Sequence, residues 1–177
     1  MSQYKRNYVA GGTYFFTVNL LNRKQQLLTE HIHYLRNAVK TVKLKQPFTI
    51  DAWVILPDHM HTVWTLPEND SDYSSRWRAI KKEFSKALPE TEKRSTSQIK
   101  KGERGIWQRR FWEHTIISEQ DYQHHIDYVY INPLKHGLVR QVKDWPYSSF
   151  HRDVKDGLYP EDWAGINLLE NGKGYGE

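Results

Sequence analysis

The chain has 177 residues, no cysteine and 14% aromatic side chains. That length suits one domain with room for a terminal extension, and the aromatic content excludes wholesale disorder. The lack of cysteine excludes disulfide scaffolds, thiol catalysis and Cys-based zinc sites, and no apolar run approaches the ~18 residues of a membrane span.

The N-terminal stretch MSQYKRNYVAGG has no apolar segment of the secretory kind, so a cytoplasmic location and no membrane partner are expected. The net charge is +5, unevenly spread: Arg76 to Arg110 carries 12 Lys or Arg against 4 Asp or Glu, while the rest carries 14 against 17. A concentrated basic block suits a polyanion, because each neutralised phosphate releases condensed counterions. A solvated helix face followed by a charged loop would look the same. The aromatics within the block (Trp77, Phe84, Trp107, Phe111, Trp112) favour nucleic acid, since unpaired bases stack on such rings.

In chain order, residues 13–20 are rich in aromatic and β-branched side chains and predict a buried strand after Gly11-Gly12. A helix is predicted from an N-cap at Thr29 to about Lys45, on the spacing of Ile32, Leu35, Val39 and Val42. Phe48 to Leu56 and His59 to Leu66 read as two strands of a hairpin turning at Pro57-Asp58. Ser74 or Ser75 caps a helix running to about Leu88, and residues 89–105 read as a mobile loop. Phe111 to Ile117 predicts a fourth strand, and Ser118 opens a helix that ends near Tyr130 or Ile131. Asn132-Pro133 interrupts it, because the residue before proline is pushed out of the α region, and a short helix through His136 follows, stopped by Gly137.

The first six elements follow the split β-α-β order of ferredoxin-like folds. The predicted class is therefore α+β: a four-stranded antiparallel sheet, two helices on one face, and the other face open for a ligand. A third helix and an irregular C-terminal tail complete it. The expected division is a main domain over residues 1–145 and a tail over 146–177, packed on or near its ligand face.

Two His-x-His pairs occur. His31 and His33 fall in a helical pattern, where i and i+2 diverge by roughly 200° and cannot easily share an ion. His59 and His61 open a strand, where i and i+2 point to one face, while Met60 points into the core. Neutral imidazoles on one face could hold a metal or could be ordinary strand histidines; a site needs further ligands. Tyr128 and Asn132 are four apart on the last helix and share a face, so an amide oxygen could join a cation with a phenol nearby. Tyr128 could equally be a half-buried aromatic and Asn132 an N-cap for the short helix after it. Tyr122, Tyr130 and Tyr147 are rival tyrosines, and Tyr130 should face away from Tyr128.

Three motifs in order carry a specific likeness: Pro57-Asp-His-Met-His61, Trp107-Gln-Arg-Arg-Phe-Trp-Glu-His114 and Tyr128-Val-Tyr-Ile-Asn-Pro-Leu-Lys-His-Gly137. Over roughly Tyr4 to Trp163 the chain resembles the REP-associated tyrosine transposases, relatives of the single-tyrosine HUH transposases of the IS200/IS605 type. The resemblance implies a ferredoxin-like fold, a divalent ion (Mg²⁺ or Mn²⁺) on His59, His61 and Asn132, and Tyr128 as nucleophile. Asn132 stands where the wider family has Gln. It also implies single-stranded DNA hairpins of repetitive extragenic palindromes as substrate, cut and rejoined through a 5′-phosphotyrosine. Monomer and homodimer both stay open. Arg76, Arg78, Lys81, Lys82, Arg109 and Arg110 are candidate DNA contacts, with Trp107 or Trp112 for stacking. The rival readings are a non-catalytic single-stranded nucleic-acid-binding module, for which no RNP1-like run appears, and a metal-dependent phosphodiesterase that uses water.

Overall fold

The computed structural model describes residues 6–163. Among them four strands, β1 (Thr13–Asn19), β2 (Thr49–Ile55), β3 (His59–Thr65) and β4 (Trp112–Thr115), form one antiparallel sheet in the order β2-β3-β1-β4. The helices are α1 (Leu27–Glu30), α2 (Ile32–Lys45), α3 (Tyr73–Ala87), α4 (Thr96–Lys100), α5 (Glu119–Lys135) and α6 (Phe150–Lys155), with a 3-10 turn at Val142–Asp144. This is the split β-α-β order expected, and no helix among the described residues is long and apolar enough to cross a membrane.

Strand alternation divides the sheet into two chemically different faces. Tyr14, Phe16 and Val18 of β1 and Met60 and Trp64 of β3 face α2 and α3, whose buried stripes (Leu35, Ala38, Val39, Val42; Trp77, Ile80, Phe84) recur at helical spacing. Phe15 of β1 and Val63 of β3 point the other way and pack with α5 through Ile126, Tyr128 and Val129. The second face is not open, contrary to the expectation from the element order: α5 lies over β2 and β3. The alternating apolar residues on both faces are the reason, since a bare second face would leave Phe15, Val54 and Val63 in water.

Several boundaries differ from the sequence reading for local physical reasons. The second helix begins at Ile32, not Thr29: Leu28 is buried in its own turn, and the Thr29 hydroxyl donates to the Gln26 carbonyl instead of capping. The cap of α3 is Asp72, whose carboxylate accepts from Ser75 N–H at 2.9 Å, not Ser74 or Ser75. The loop 89–105 is not featureless. It contains α4, opened by a Ser95–Gln98 capping box, and Arg104 ties it to Glu92 and to the carbonyls of Leu88 and Pro89.

Helix α5 opens as expected, with Ser118 accepting from Asp121 N–H, but runs unbroken through Pro133. Proline removes one backbone bond two residues from the helix end, where little is lost. The Asn132 side-chain amide donates 2.8 Å to the Tyr128 carbonyl beside that gap. Termination falls at Gly137 (φ +66°), with Gly137 N–H on the Leu134 carbonyl and Leu138 N–H on that of Pro133, a Schellman pair that needs a left-handed residue. Beyond it, residues 147–149 run along the free edge of β2, through Ile55 N–H to the Tyr147 carbonyl (2.9 Å) and Ser149 N–H to the Trp53 carbonyl (2.8 Å). Phe150 and Asp153 of α6 then meet Tyr130 on the side of α5 away from Tyr128. Residues 164–177 of the expected tail lie outside the described residues.

Candidate active site

The register of β1 against β3 sets Thr17 opposite His61 and Asn19 opposite His59, all four on the second face. Both imidazoles are fully buried and their rings lie 5.0 Å apart at 86°. Each ring is oriented through Nδ1: His59 to Asp58 Oδ1 at 2.8 Å and His61 to Thr17 Oγ1 at 2.8 Å. Burial raises the Asp58 carboxyl, but hydrogen bonds from His59 and Arg23 outweigh it and hold it down at about 2. Burial lowers the His59 pKa against the pull of Asp58, so the ring is neutral near pH 7 with its Nδ1 proton toward the carboxylate. That tautomer leaves Nε2 as the basic nitrogen.

Two residues of α5 complete the cluster. Tyr128 is 7% exposed, its ring edge-on to His61 at 5.4 Å and to Phe15 at 5.8 Å. Asn132, one turn on, is fully buried with its Nδ2 on the Tyr128 carbonyl. The amide nitrogen's engagement there leaves the oxygen of Asn132 buried with no hydrogen-bond partner among the described residues, and Nε2 of His59 is in the same condition. Buried polar atoms left this way cost on the order of 1–3 kcal/mol each unless something fills the space between them. An imidazole pair and an amide oxygen suit Mn²⁺, and Mg²⁺ with water completing its shell. The residues present therefore fit a divalent ion. All of them come from one chain.

Two further residues join the site that the sequence reading passed over. Lys135 donates from Nζ to the Tyr128 phenol oxygen at 3.1 Å and lies 5.0 Å from the ring centroid. His136 stacks edge-on to His59 at 5.0 Å. Both follow Tyr128 and Asn132 at helical spacing (seven and four residues on), a signal hidden by reading Pro133 as a helix break.

The candidate DNA contacts separate into three groups. Arg76 is not at the surface: it is 2% exposed, and its guanidinium binds Asp70 and the carbonyls of Gln46, Pro47 and Asp72. Lys81 is likewise turned inward, donating 2.9 Å to the Gln108 carbonyl beside Trp107 and Phe111, and burial pushes its pKa down to about 8. Trp107 donates to Ser85 and packs edge-on to Phe84, which fixes residues 106–111 against α3. These three are scaffold. Arg78 and Lys82 are exposed, but on α3, across the sheet from His59 and His61. Arg109 and Arg110 are exposed beside β4, with Arg109 paired to Glu103. Trp112 is 42% exposed and pairs with Thr17, so it stands on the catalytic face two strands from His61.

Two buried imidazoles on one strand, a phenol on a helix laid across it and a split β-α-β sheet are the features that known proteins can be compared with. The chain matches the family model described as "Transposase IS200 like" over residues 9–131, and it belongs to that family. It is 58% identical to the REP-associated tyrosine transposase of Escherichia coli strain K12, over 93% of this chain and 92% of that protein. It is also similar to a solved structure of a REP-associated tyrosine transposase bound to a REP hairpin, with a TM-score of 0.86, 55% identity, and coverage of 100% of this chain and 98% of that one.

Proposed function

We propose that this chain cuts and rejoins single-stranded DNA at REP-type hairpins, with Tyr128 as the nucleophile. The observation that carries it is the meeting of the Tyr128 ring with His61 at 5.4 Å, together with buried ligand-type atoms of His59 and Asn132 that have no hydrogen-bond partner among the described residues. The relative solved with a REP hairpin supports the choice of substrate.

A phosphodiester resists attack because its oxygens repel a nucleophile and its leaving group is poor. His59, His61 and Asn132 would hold a divalent ion, Mg²⁺ or Mn²⁺, which would supply Lewis-acid polarisation of the phosphate. The protein's own groups do the rest. Phe15 and His61 fix the Tyr128 ring edge-on, and Lys135 holds the phenol oxygen, favouring the negative charge that appears as the phenolic proton leaves. Tyr128 Oη forms the bond to phosphorus while the bond to the 3′ oxygen breaks, and the proton that the phenol gives up to solvent is balanced by one that solvent returns to the departing 3′ oxygen. The products are a 5′-phosphotyrosine and a 3′-hydroxyl. A second 3′-hydroxyl reverses the step, so the phosphoester is conserved and no nucleotide cofactor is required. Trp112, with Arg109 and Arg110 at the same edge, offers a stacking and charge surface on the face that holds His61, and Arg78 and Lys82 offer a second basic stripe. Residues 1–145 carry this chemistry, and the described part of the following segment braces α5 from behind. One chain holds a full set of site residues, so a monomer suffices, and a cytoplasmic setting suits a DNA substrate.

Tyr128→Phe tests the proposal on end-labelled hairpin DNA with Mn²⁺. The expected result is loss of both cleavage and the covalent complex with hairpin affinity retained. Surviving hydrolysis would transfer the chemistry to water, and a wild-type protein that binds but never cuts would leave only a binding module.

A further inference from the structure

A second group of ligand-type side chains lies on the catalytic face, outside the cluster just described. His114 is the third residue of β4 and pairs with Phe15. Asp121 and His125 sit one turn apart at the start of α5. His114 Nε2 is 2.9 Å from Asp121 Oδ2, and His125 Nδ1 is 3.0 Å from Asp121 Oδ1; the same Nδ1 donates to the Asp121 backbone carbonyl at 2.8 Å, a proton that an ion has to displace. The two rings stack 4.6 Å apart at 17°, and one donor atom from each of the three residues lies within 4.8 Å of the others.

We propose that these three residues form a second divalent-metal site, of the class that takes Zn²⁺ or Co²⁺. Two imidazoles and a carboxylate are a complete protein donor set for such an ion, with water in the remaining position. Donors around an ion with bonds of about 2.0–2.2 Å stand roughly 3–4 Å from each other, so two of the three pairs are already at or near coordination spacing. The carboxylate is held from outside the cluster, because Asp121 Oδ2 also accepts from Ile117 N–H at 3.0 Å. His125 is buried with 2% of its side chain exposed, while His114 is 37% exposed and gives the ion a path from solvent and an open position. The two sites are neighbours with Phe15 between them: its ring is 4.9 Å from His125, 5.7 Å from His61 and 5.8 Å from Tyr128.

The physical role follows from what the ion would join. His114 belongs to the edge strand, and Asp121 and His125 to the helix that carries Tyr128 three residues after His125. An ion there clamps the opening turns of α5 to β4. It would act on the fold and on the placement of the helix, with no contact to the reacting phosphate.

The test counts metal in protein that lacks the first site. Untagged His59→Ala/His61→Ala protein is stripped with chelator and titrated with Co²⁺, reading stoichiometry by calorimetry and imidazole ligation by the visible Co²⁺ bands. The expected result is one equivalent per chain, lost on adding His114→Gln and, separately, Asp121→Asn. The thermal midpoint of the double variant should also rise by several degrees with Zn²⁺, and this rise should vanish with either substitution. No bound Co²⁺ in the double variant, or one equivalent that survives both substitutions, overturns the proposal. Neither outcome depends on DNA cleavage, so the second site can fail while the strand-transfer reading stands, and the reverse.

Discussion

The two faces of the sheet are made from the same two strands and do different work. On one, Phe16, Val18, Met60 and Trp64 lock into α2 and α3 with apolar contacts alone. On the other, the residues between them (Phe15, Thr17, Asn19, His59, His61) hold two imidazoles, a hydroxyl and an amide in a buried setting against α5. A single period of two thus gives one strand both a scaffold and a reactive edge. The rigid apolar face limits what the polar face can relax into. That constraint is consistent with Nε2 of His59 and the Asn132 oxygen staying buried without a hydrogen-bond partner among the described residues.

The comparison breaks if substitutions on the two faces behave alike. Trp64, 2% exposed and stacked on Trp77 at 4.2 Å, should lose about 3–5 kcal/mol of unfolding free energy as Trp64→Ala in denaturant titration. The fraction that stays folded should cleave at the wild-type rate. A smaller effect is expected on the other face from Asp58→Asn. The Mn²⁺ concentration for half-maximal cleavage should rise about 10–100-fold as the charge behind His59 is lost, with a fall in the urea midpoint smaller than that of Trp64→Ala, since a carboxylate held down at about 2 also stabilises the fold. A stability loss as large as that of Trp64→Ala would make Asp58 a scaffold residue and merge the two faces.

Much of this arrangement was legible in the chain because it rests on local periodicity. The placement of His59 and His61 on one face, with Met60 on the other, needs only strand geometry, and so does the divergence of Tyr130 from Tyr128. The meeting of Tyr128 with His61 is different, because it depends on α5 folding back across β2 and β3, which no spacing encodes; only the likeness of the three motifs pointed to it. The inward turn of Arg76 and Lys81 has no local signal, because charge on a helix usually faces water. Here the carbonyls of Gln46, Pro47 and Gln108 draw both side chains inward, and those partners are distant in sequence. Pro133 was read as a break, which concealed Lys135 and His136. A proline two residues from a helix end costs too little to stop it, and Gly137 is the true terminator.

The most direct test of the central claim is to locate the covalent bond. Wild-type protein is incubated with single-stranded hairpin DNA and Mn²⁺, quenched, digested with nuclease and protease, and mapped by mass spectrometry. The account predicts a 5′-linked nucleotide on the phenol of Tyr128 in a single peptide. An adduct on Tyr122, Tyr130 or Tyr147, or complete cleavage with no adduct on any tyrosine, would contradict it.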